Sequence, residues 1–447
     1  MLCSKQVDQF GKECLTEDKY TYMYKGEVMI PPLSMVDDVV CISECGYKSV
    51  MMNSYIQCKT SSKKLQFGSI KCKKIHIGKE CVGYKCHPFY VDSWEENEIK
   101  NDETGKVDIE DVCLGEEMME EKDEEKYLGD IISKDGRNLK NIQNRVNKGK
   151  GIVRKIFDIL EGIPFGKLYF KVAILLRNSL LVSSMLCNSE VWFNLTNSDL
   201  DLLEKVDLML LRKILDAPKS IPKEMLYLEL GVMPLRDMIR QRRLNFLKYI
   251  LDQKEESILS QVFEKQCEKK TKKDWVTSVL ADLDLLDLNV TFADIRTMNK
   301  VKWKNMLKQS IMNISLKKLE SKKQTHSKVK HLKHPRLVTQ SYLLPNDQKI
   351  SKEEIQLIFN IRSRVLNVKM NVQGLHESYE CEICEKDDET QKHIYECTEI
   401  WKSKENLTND KIPDYEDVMT GNLKDQLKVA RIMKDNLEIF ERIKNKK

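Results

Sequence analysis

From about residue 138 onward, apolar residues return every three or four positions, the period of a helix with one buried stripe. Leu200, Leu203, Val206, Leu210 and Ile214 make one such stripe, and Ser198 with Asp201 three residues later suggests a capping box at its start. Pro218 and Pro222 predict its end. A second amphipathic segment, Arg236 to Leu251, follows the break at Gly231 and Pro234. Residues 352–368 predict a further helix with Ile355, Ile358, Phe359, Val365 and Leu366 inward. The longest apolar stretch, Leu168 to Leu186, carries Lys171 and Arg177 inside it, which a membrane span would resist, so it reads as a buried helix of a soluble chain. Before residue 138 the pattern differs. Residues 28–43 read as two apolar strands broken at Asp37-Asp38, and Leu65–Phe67 with Lys74–Gly78 as another short strand pair. The expected fold class is mainly α, with a small α+β portion at the N-terminus. The leucine, methionine and aromatic stripes are core and carry no chemistry.

Composition agrees. The 447 residues hold only 17 Gly and 10 Pro, which disfavours a turn-rich sandwich or barrel. Charge is nearly balanced, 75 basic against 70 acidic residues, yet it is segregated along the chain. Lys63, Lys64, Lys71, Lys73, Lys74 and Lys79 form one basic run without an acid. Glu95 to Glu125 holds 15 acids against Lys100, Lys106 and Lys122, and reads as an exposed insertion able to compete for the basic runs. Arg137, Lys140, Arg145, Lys148, Lys150, Arg154 and Lys155 form a second basic run. Lys322, Lys323, Lys328, Lys330, Lys333 and Arg336 form a third, with His326, His331 and His334 among them. Any one run is an ordinary solvated face; three together point to a polyanion, with RNA or DNA bound in a salt-sensitive way. The 14 cysteines show no disulfide rhythm, and Met1 to Phe10 does not open like an export signal. The expectation is a nuclear or cytoplasmic protein, neither secreted nor in a membrane, with the 322–336 run a weak import signal.

The sharpest motif is Cys381-x2-Cys384-x8-His393-x3-Cys397. Two close ligand pairs joined by a polar loop can close a tetrahedral zinc cage, and four protein ligands make such a site structural rather than catalytic. The second motif is Asp37-Asp38 between apolar strands, where burial of paired carboxylates is costly unless a divalent metal such as Mg²⁺ compensates. An exposed hairpin tip is the alternative. Gly162-Ile-Pro-Phe-Gly166-Lys167 is one residue short of a phosphate-binding loop, and Cys81, Cys86 and His87 lack a second ligand pair nearby. No zinc-protease helix, nucleophile elbow or dinucleotide fingerprint occurs.

In order along the chain, these features resemble the C-terminal half of reverse transcriptases of non-LTR (LINE-like) retrotransposons. Met35-Val-Asp37-Asp38 is similar to the aromatic-x-Asp-Asp motif of the polymerase palm, with Met35 in the aromatic's place. Lys63-Lys-Leu-Gln-Phe-Gly-Ser-Ile-Lys-Cys-Lys-Lys-Ile-His-Ile-Gly78 is similar to the palm segment that follows, in which Lys71 or Lys73 would lie near the incoming nucleotide. Tyr127-Leu128-Gly129 resembles the hairpin that grips the primer terminus, and the terminal Cys-Cys-His-Cys array the family's zinc knuckle. The resemblance implies a palm remnant at 1–135 containing the acidic insertion 95–125. It implies a helical thumb at 136–255, a helical basic connector at 256–379, the knuckle at 380–398 and a helical tail at 399–447. It also implies an RNA-directed DNA polymerase that uses Mg²⁺ on Asp37 and Asp38, with an RNA template, a DNA primer or target and dNTP as partners.

One departure stands out. The family takes another catalytic Asp, the fingers and a Gln-Gly segment from upstream of the Asp-Asp hairpin, and only 36 residues precede Asp37 here. Asp8 lies in no apolar strand and does not fill that role. The expectation is a 5′-truncated polymerase, inactive by itself. Two other readings accompany it: a zinc-stabilised helical protein that binds RNA or DNA without catalysis, and a helical scaffold for protein partners.

Overall fold

The computed structural model describes residues 22–35, 38–43, 52, 73–75, 77, 120–164, 168–326, 328–329, 332, 337–344, 350–371, 378–403, 412–420 and 422–444. Strands come first and are short. β1 (Tyr22–Tyr24) pairs antiparallel with β2 (Val28–Ile30), and β3 (Leu33–Met35) with β4 (Asp38–Val40), placing Met35 opposite Asp38. β5 (Lys73–Lys74) runs parallel to β6 (Glu120–Glu121), so two lysines of the first basic run lie beside the acidic block. The expected partner, Leu65–Phe67, lies outside the described residues. β7 (Glu124–Tyr127) and β8 (Asp130–Ser133) form a hairpin around Leu128 and Gly129, whose φ angles of 46° and 91° both suit a tight two-residue turn. Among the described residues the strands make four separate two-stranded ribbons, and a palm sheet is not among them.

Among the described residues after 138, the named elements are all helices, as the periodicity predicts. α1 (Leu139–Glu161) turns Ile142, Val146, Val153, Ile156 and Leu160 inward. α2 (Tyr169–Leu176) continues through a π turn, Arg177–Val182, into Ser183–Met185. This is the predicted apolar stretch, and its interior charge is satisfied. Arg177 is buried and makes two 2.7 Å hydrogen bonds to the Asp207 carboxylate, with a third to the Met233 carbonyl, while Lys171 stays exposed. α3 (Asn197–Leu215) starts two residues earlier than expected. Thr196 and Asp199 form the capping box, because Ser198 is already helical, and Asp201 instead reaches Arg236.

α4 (Lys223–Leu230), α5 (Leu235–Leu251), α6 (Ile258–Glu268), α7 (Trp275–Leu285), α8 (Phe292–Thr297) and α9 (Lys300–Thr325) follow. α10 (Lys352–Arg362) ends six residues sooner than its apolar pattern suggests. Arg364 takes a left-handed φ of 52°, and the Val365 N–H closes back on the Asn360 carbonyl. Leu366 and Val368 still reach the core, from a loop. α11 (Gln391–Glu396), α12 (Thr398–Lys402), α13 (Asp417–Thr420) and α14 (Leu423–Lys444) complete the order.

Two cores organise these helices. The larger collects α1 to α4 and the start of α5, then, from far along the chain, Leu319, Tyr342, α10 and the segments from 381 to 440. The smaller is local: Leu244 to Leu251 of α5, α6 to α8, and Trp303, Leu307, Ile311 and Ile314 of α9. α5 and α9 therefore run through both. The boundary expected at 255/256 falls inside the smaller core, and the stretch 256–379 is split between the two. The β1–β2 turn sits on the smaller one, where Glu27 pairs with Lys265 and Lys269, and Lys25 with Asp274.

Gly231 closes α4 in a left-handed conformation, φ 62°, and a Cβ there would run into the Val338–Thr339 backbone. That crossing segment supplies donors that the helix end lacks: Thr339 Oγ1 to the Leu230 carbonyl and Gln340 N–H to that of Glu229.

Candidate metal centre

Cys381 and Cys384 lie on a tight turn, Cys397 directly follows α11, and His393 is on its first turn. The loop is folded by its own backbone. The Cys381 N–H donates to the Asp387 carbonyl, the Glu385 N–H to Cys381, and Glu380 bridges Asp388 antiparallel. Glu385 adopts a φ of 53°, which reverses the chain. Thr390 caps α11 by accepting the His393 N–H at 2.9 Å, and this fixes where the imidazole starts. The four ligand atoms of Cys381, Cys384, His393 and Cys397 all lie within 4.8 Å of one another.

A tetrahedral zinc with bonds of about 2.3 Å to sulfur spaces its ligands about 3.8 Å apart, so the cluster is of the right size. His393 Nε2 is 3.3 Å from Cys384 Sγ, and Nδ1 faces the Asp387 carboxylate at 3.7 Å. A carboxylate behind the ring orients a ligating imidazole and fixes its tautomer. Cys381 and Cys397 are buried, Cys384 and His393 half-buried. Without a cation, burial and the neighbouring thiols push the Cys381 thiol up to about 11, although the Cys384 and Ile383 N–H groups act against this. For Cys384 burial also raises the pKa, but N–H groups of Asp387 and Lys386 outweigh it and the thiol falls below its ordinary value. Both cysteines thus receive N–H groups from two and three residues ahead, a backbone cradle for thiolate. The Cys3His cluster can hold a metal ion such as zinc.

The cluster is anchored to the large core. Gln391, buried, donates to the Ile361 carbonyl and the Tyr415 hydroxyl, and accepts from Leu366 and Asn371. Asn436 of α14 donates to the carbonyls of Ile394 and Tyr395 at the end of α11. Lys369 and Lys444 both reach Glu382 at 3.2 Å. The spacing of four ligands revealed the centre. Asp387, Gln391 and Asn436 escaped notice, and only Thr390, three residues before His393, had a readable capping signal.

The other candidate residues separate. Asp37 and Lys71 lie outside the described residues, as do Lys330, Lys333 and Arg336. Asp38 is placed by its backbone at the start of β4, and Lys73 is half-buried in β5. Tyr127, Leu128 and Gly129 form the corner of the β7–β8 hairpin. Asp130 braces that corner by accepting from Asn141, Arg145 and Asn188, and Asn188 also donates to the Leu128 carbonyl.

Arg145 corrects the expectation of a phosphate contact. It is 3% exposed and sits 2.7 Å from Asp130, so its charge is committed to the hairpin. Arg137, Lys140, Lys148 and Lys150 are exposed, Lys140 lying 3.4 Å from Glu124. At the end of α9, Lys322 is exposed, whereas Lys323 pairs with Glu320 and Lys328 donates to Ser220. Burial lowers the Lys328 pKa. The third basic run is therefore not a uniform face.

No family model, no curated protein and no solved structure matches the chain. Among the described residues, no helix is long and apolar enough to cross a membrane.

Proposed function

We propose that this chain is a zinc-stabilised helical protein that holds RNA or DNA against the outer face of α1. The observation that carries this reading is the face itself. Lys140, Lys148, Lys150, Arg154 and Lys155 are exposed on the side opposite Ile142, Val146, Val153 and Ile156, and no acid lies between 140 and 155. Sixteen residues of helix extend about 24 Å, long enough to follow several phosphates along a strand. Asn144, Asn147 and Gly151 separate the cations and leave room for a backbone to approach. Zinc on Cys381, Cys384, His393 and Cys397 has a structural role in this reading, since four protein ligands leave no position for substrate.

The test is binding of a 20-nucleotide RNA and of a DNA duplex to the full chain, followed by fluorescence anisotropy across a salt series. Affinity is expected to fall steeply with salt. In the K148Q/K150Q/K155Q variant the log–log slope should shrink by about 2 to 3. A slope unchanged in that variant would sink the reading.

A second reading, nucleotidyl transfer by Mg²⁺ on Asp37 and Asp38, is supported by the resemblance to LINE-like reverse transcriptases and by the braced Tyr127-Leu128-Gly129 corner. Primer extension on an RNA template with Mg²⁺ and dNTPs separates the two. Extension abolished by D38N would make the chain a polymerase; binding without extension supports the non-catalytic role.

A further inference from the structure

The outer face of α1 is not purely cationic. Lys148, Ile152, Lys155 and Ile159 follow at steps of four, three and four, so lysines and isoleucines alternate along one line of the helix. Both lysines are exposed, Ile152 is half-buried, and Ile159 is 46% exposed. Among the described residues, no carboxylate pairs with Lys148 or Lys155. A phosphate backbone has no use for the isoleucines. A peptide that alternates acids with apolar residues matches both kinds of position, pairing with the lysines and covering the isoleucines.

The chain itself carries such a peptide. Val107-Asp-Ile-Glu-Asp-Val-Cys-Leu-Gly-Glu-Glu-Met-Met119 interleaves carboxylates with Val107, Ile109, Val112, Leu114, Met118 and Met119, and contains no base. It ends a segment, 95–119, that holds ten acids against Lys100 and Lys106. Those residues lie outside the described ones, but the point where the chain leaves them is described. Glu120 opens β6, and four residues later Glu124 of β7 stands 3.4 Å from Lys140, in the first turn of α1.

An exposed pair of this kind contributes little by itself. Its importance is positional, because it sets the C-terminal end of the acidic segment beside the N-terminal end of the lysine–isoleucine line. From Lys140 to Ile159 the helix rises about 28 Å. Thirteen residues in extended form reach about 43 Å, so 107–119 is long enough to follow the whole line back from Lys140. A short tether also holds the segment at an effective concentration in the millimolar range, which favours it over a partner in solution.

We infer that the acidic segment 107–119 docks on the α1 face of its own molecule, antiparallel to the helix. Glu116 and Glu117 lie at Lys148, Asp108, Glu110 and Asp111 at Lys155, and the apolar residues over Ile152 and Ile159. The segment and a nucleic acid then compete for one face. That competition rests on the nucleic-acid reading above, whereas the docking does not.

The docking is tested by carbodiimide coupling of the full chain in dilute solution, using a mixture of unlabelled and isotope-labelled protein. The reagent joins a lysine amine to a carboxylate as an amide, with net loss of water, and mass spectrometry maps the linked peptides. Lys148 is expected to couple to Glu116 or Glu117, and Lys155 to Asp108, Glu110 or Asp111, within one chain. Coupling of Lys140 to Glu124 without either of these would overturn the docking. Links found only between labelled and unlabelled chains would also overturn it, and give the face to a second copy.

The competition is tested by RNA anisotropy on the same protein. D108N/E110Q/D111N/E116Q/E117Q should bind RNA about tenfold tighter, the factor for a face left free in one molecule in ten. Removing five negative charges strengthens RNA binding in any case, so the deciding variant is Ile159→Gln, which changes no charge. It should tighten RNA binding in the native chain and leave that of the neutralised variant unchanged. RNA affinity untouched by Ile159→Gln in the native chain would overturn the competition. If no variant binds RNA, the nucleic-acid reading fails, and the intrachain links alone decide the docking.

Discussion

The Cys3His cluster draws its ligands from residues 381 to 397, whereas Arg362 ties together segments up to 133 residues apart. Arg362 is buried, and all of its donors are used. It contacts the Glu229 carboxylate through Nε and Nη2, the carbonyls of Val418 and Met419 through Nη1, and Gln340 Oε1 through Nη2. Tyr342 donates to the same carboxylate at 2.6 Å. Both regions hold the chain with polar chemistry inside one apolar core. They differ in what each needs. A metal site needs only that soft ligands lie close in sequence and be deprotonated, and the ion then supplies the free energy. A buried ion pair must be completely hydrogen-bonded to offset the loss of hydration, so it holds only when distant segments have already docked.

The largest expected effect tests the local half of this contrast. Chelation, or Cys384→Ser, should remove one equivalent of zinc and unfold the 378–403 segment, since a structural zinc contributes about 10 kcal/mol or more in small modules. Hydrogen exchange should report loss of protection in α11. Because Cys381, Ile394, Tyr395, Cys397 and Ile400 also belong to the large core, the melting temperature of the whole chain should fall. Identical melts with and without chelator would separate the cluster from the core.

The next effect tests the distant half. Arg362→Met should destabilise by about 3–5 kcal/mol in urea titration, because Glu229 is left charged and buried. Adding Glu229→Gln should recover part of that loss, giving a coupling energy that a double-mutant cycle reads. If the two losses simply add, the pair does not link these segments.

Gly231→Ala should cost at least about 1–3 kcal/mol for the left-handed backbone alone. The clash with Val338–Thr339 adds to it. Since that segment leads to Tyr342, the loss should be smaller when Arg362→Met is already present.

The smallest effect is a pH dependence. Burial would raise the Glu204 carboxyl, but hydrogen bonds from Arg236 and Lys223 outweigh it and hold the pKa below the ordinary glutamate value. A depressed carboxylate stabilises above its unfolded pKa of about 4.3, and this contribution is lost as pH falls through the lower folded value. Glu204→Gln should therefore flatten the acid limb of the stability curve below pH of about 4.5. An unchanged limb would mean the pairing is worth the same in the unfolded chain.

How much of this could be read beforehand follows the same division. The Cys3His cluster stood out because its spacing is itself the constraint. α3 and α5 were legible from apolar periods of three and four, and the break before α5 from Gly231 and Pro234. Errors arose where a local signal had a neighbour of equal strength. Ser198 and Asp201 looked as good a capping box as Thr196 and Asp199, and docking against the core selected between them. Arg145 looked like one more cation in a basic run, and only the β7–β8 hairpin laid over α1 turned it inward to Asp130. Arg362 and Glu229 gave no signal at all, being ordinary charged residues in amphipathic helices.

What the sequence alone determined, then, is the helical class, the Cys3His cluster and the acid-free basic run from 137 to 155, because each depends on spacings within a few turns of chain. The tertiary structure decided which charges are buried, which lysines stay exposed, and that the Cys3His loop is fastened to the large core. Those outcomes depend on desolvation and on partners brought from more than a hundred residues away, and no local pattern records them.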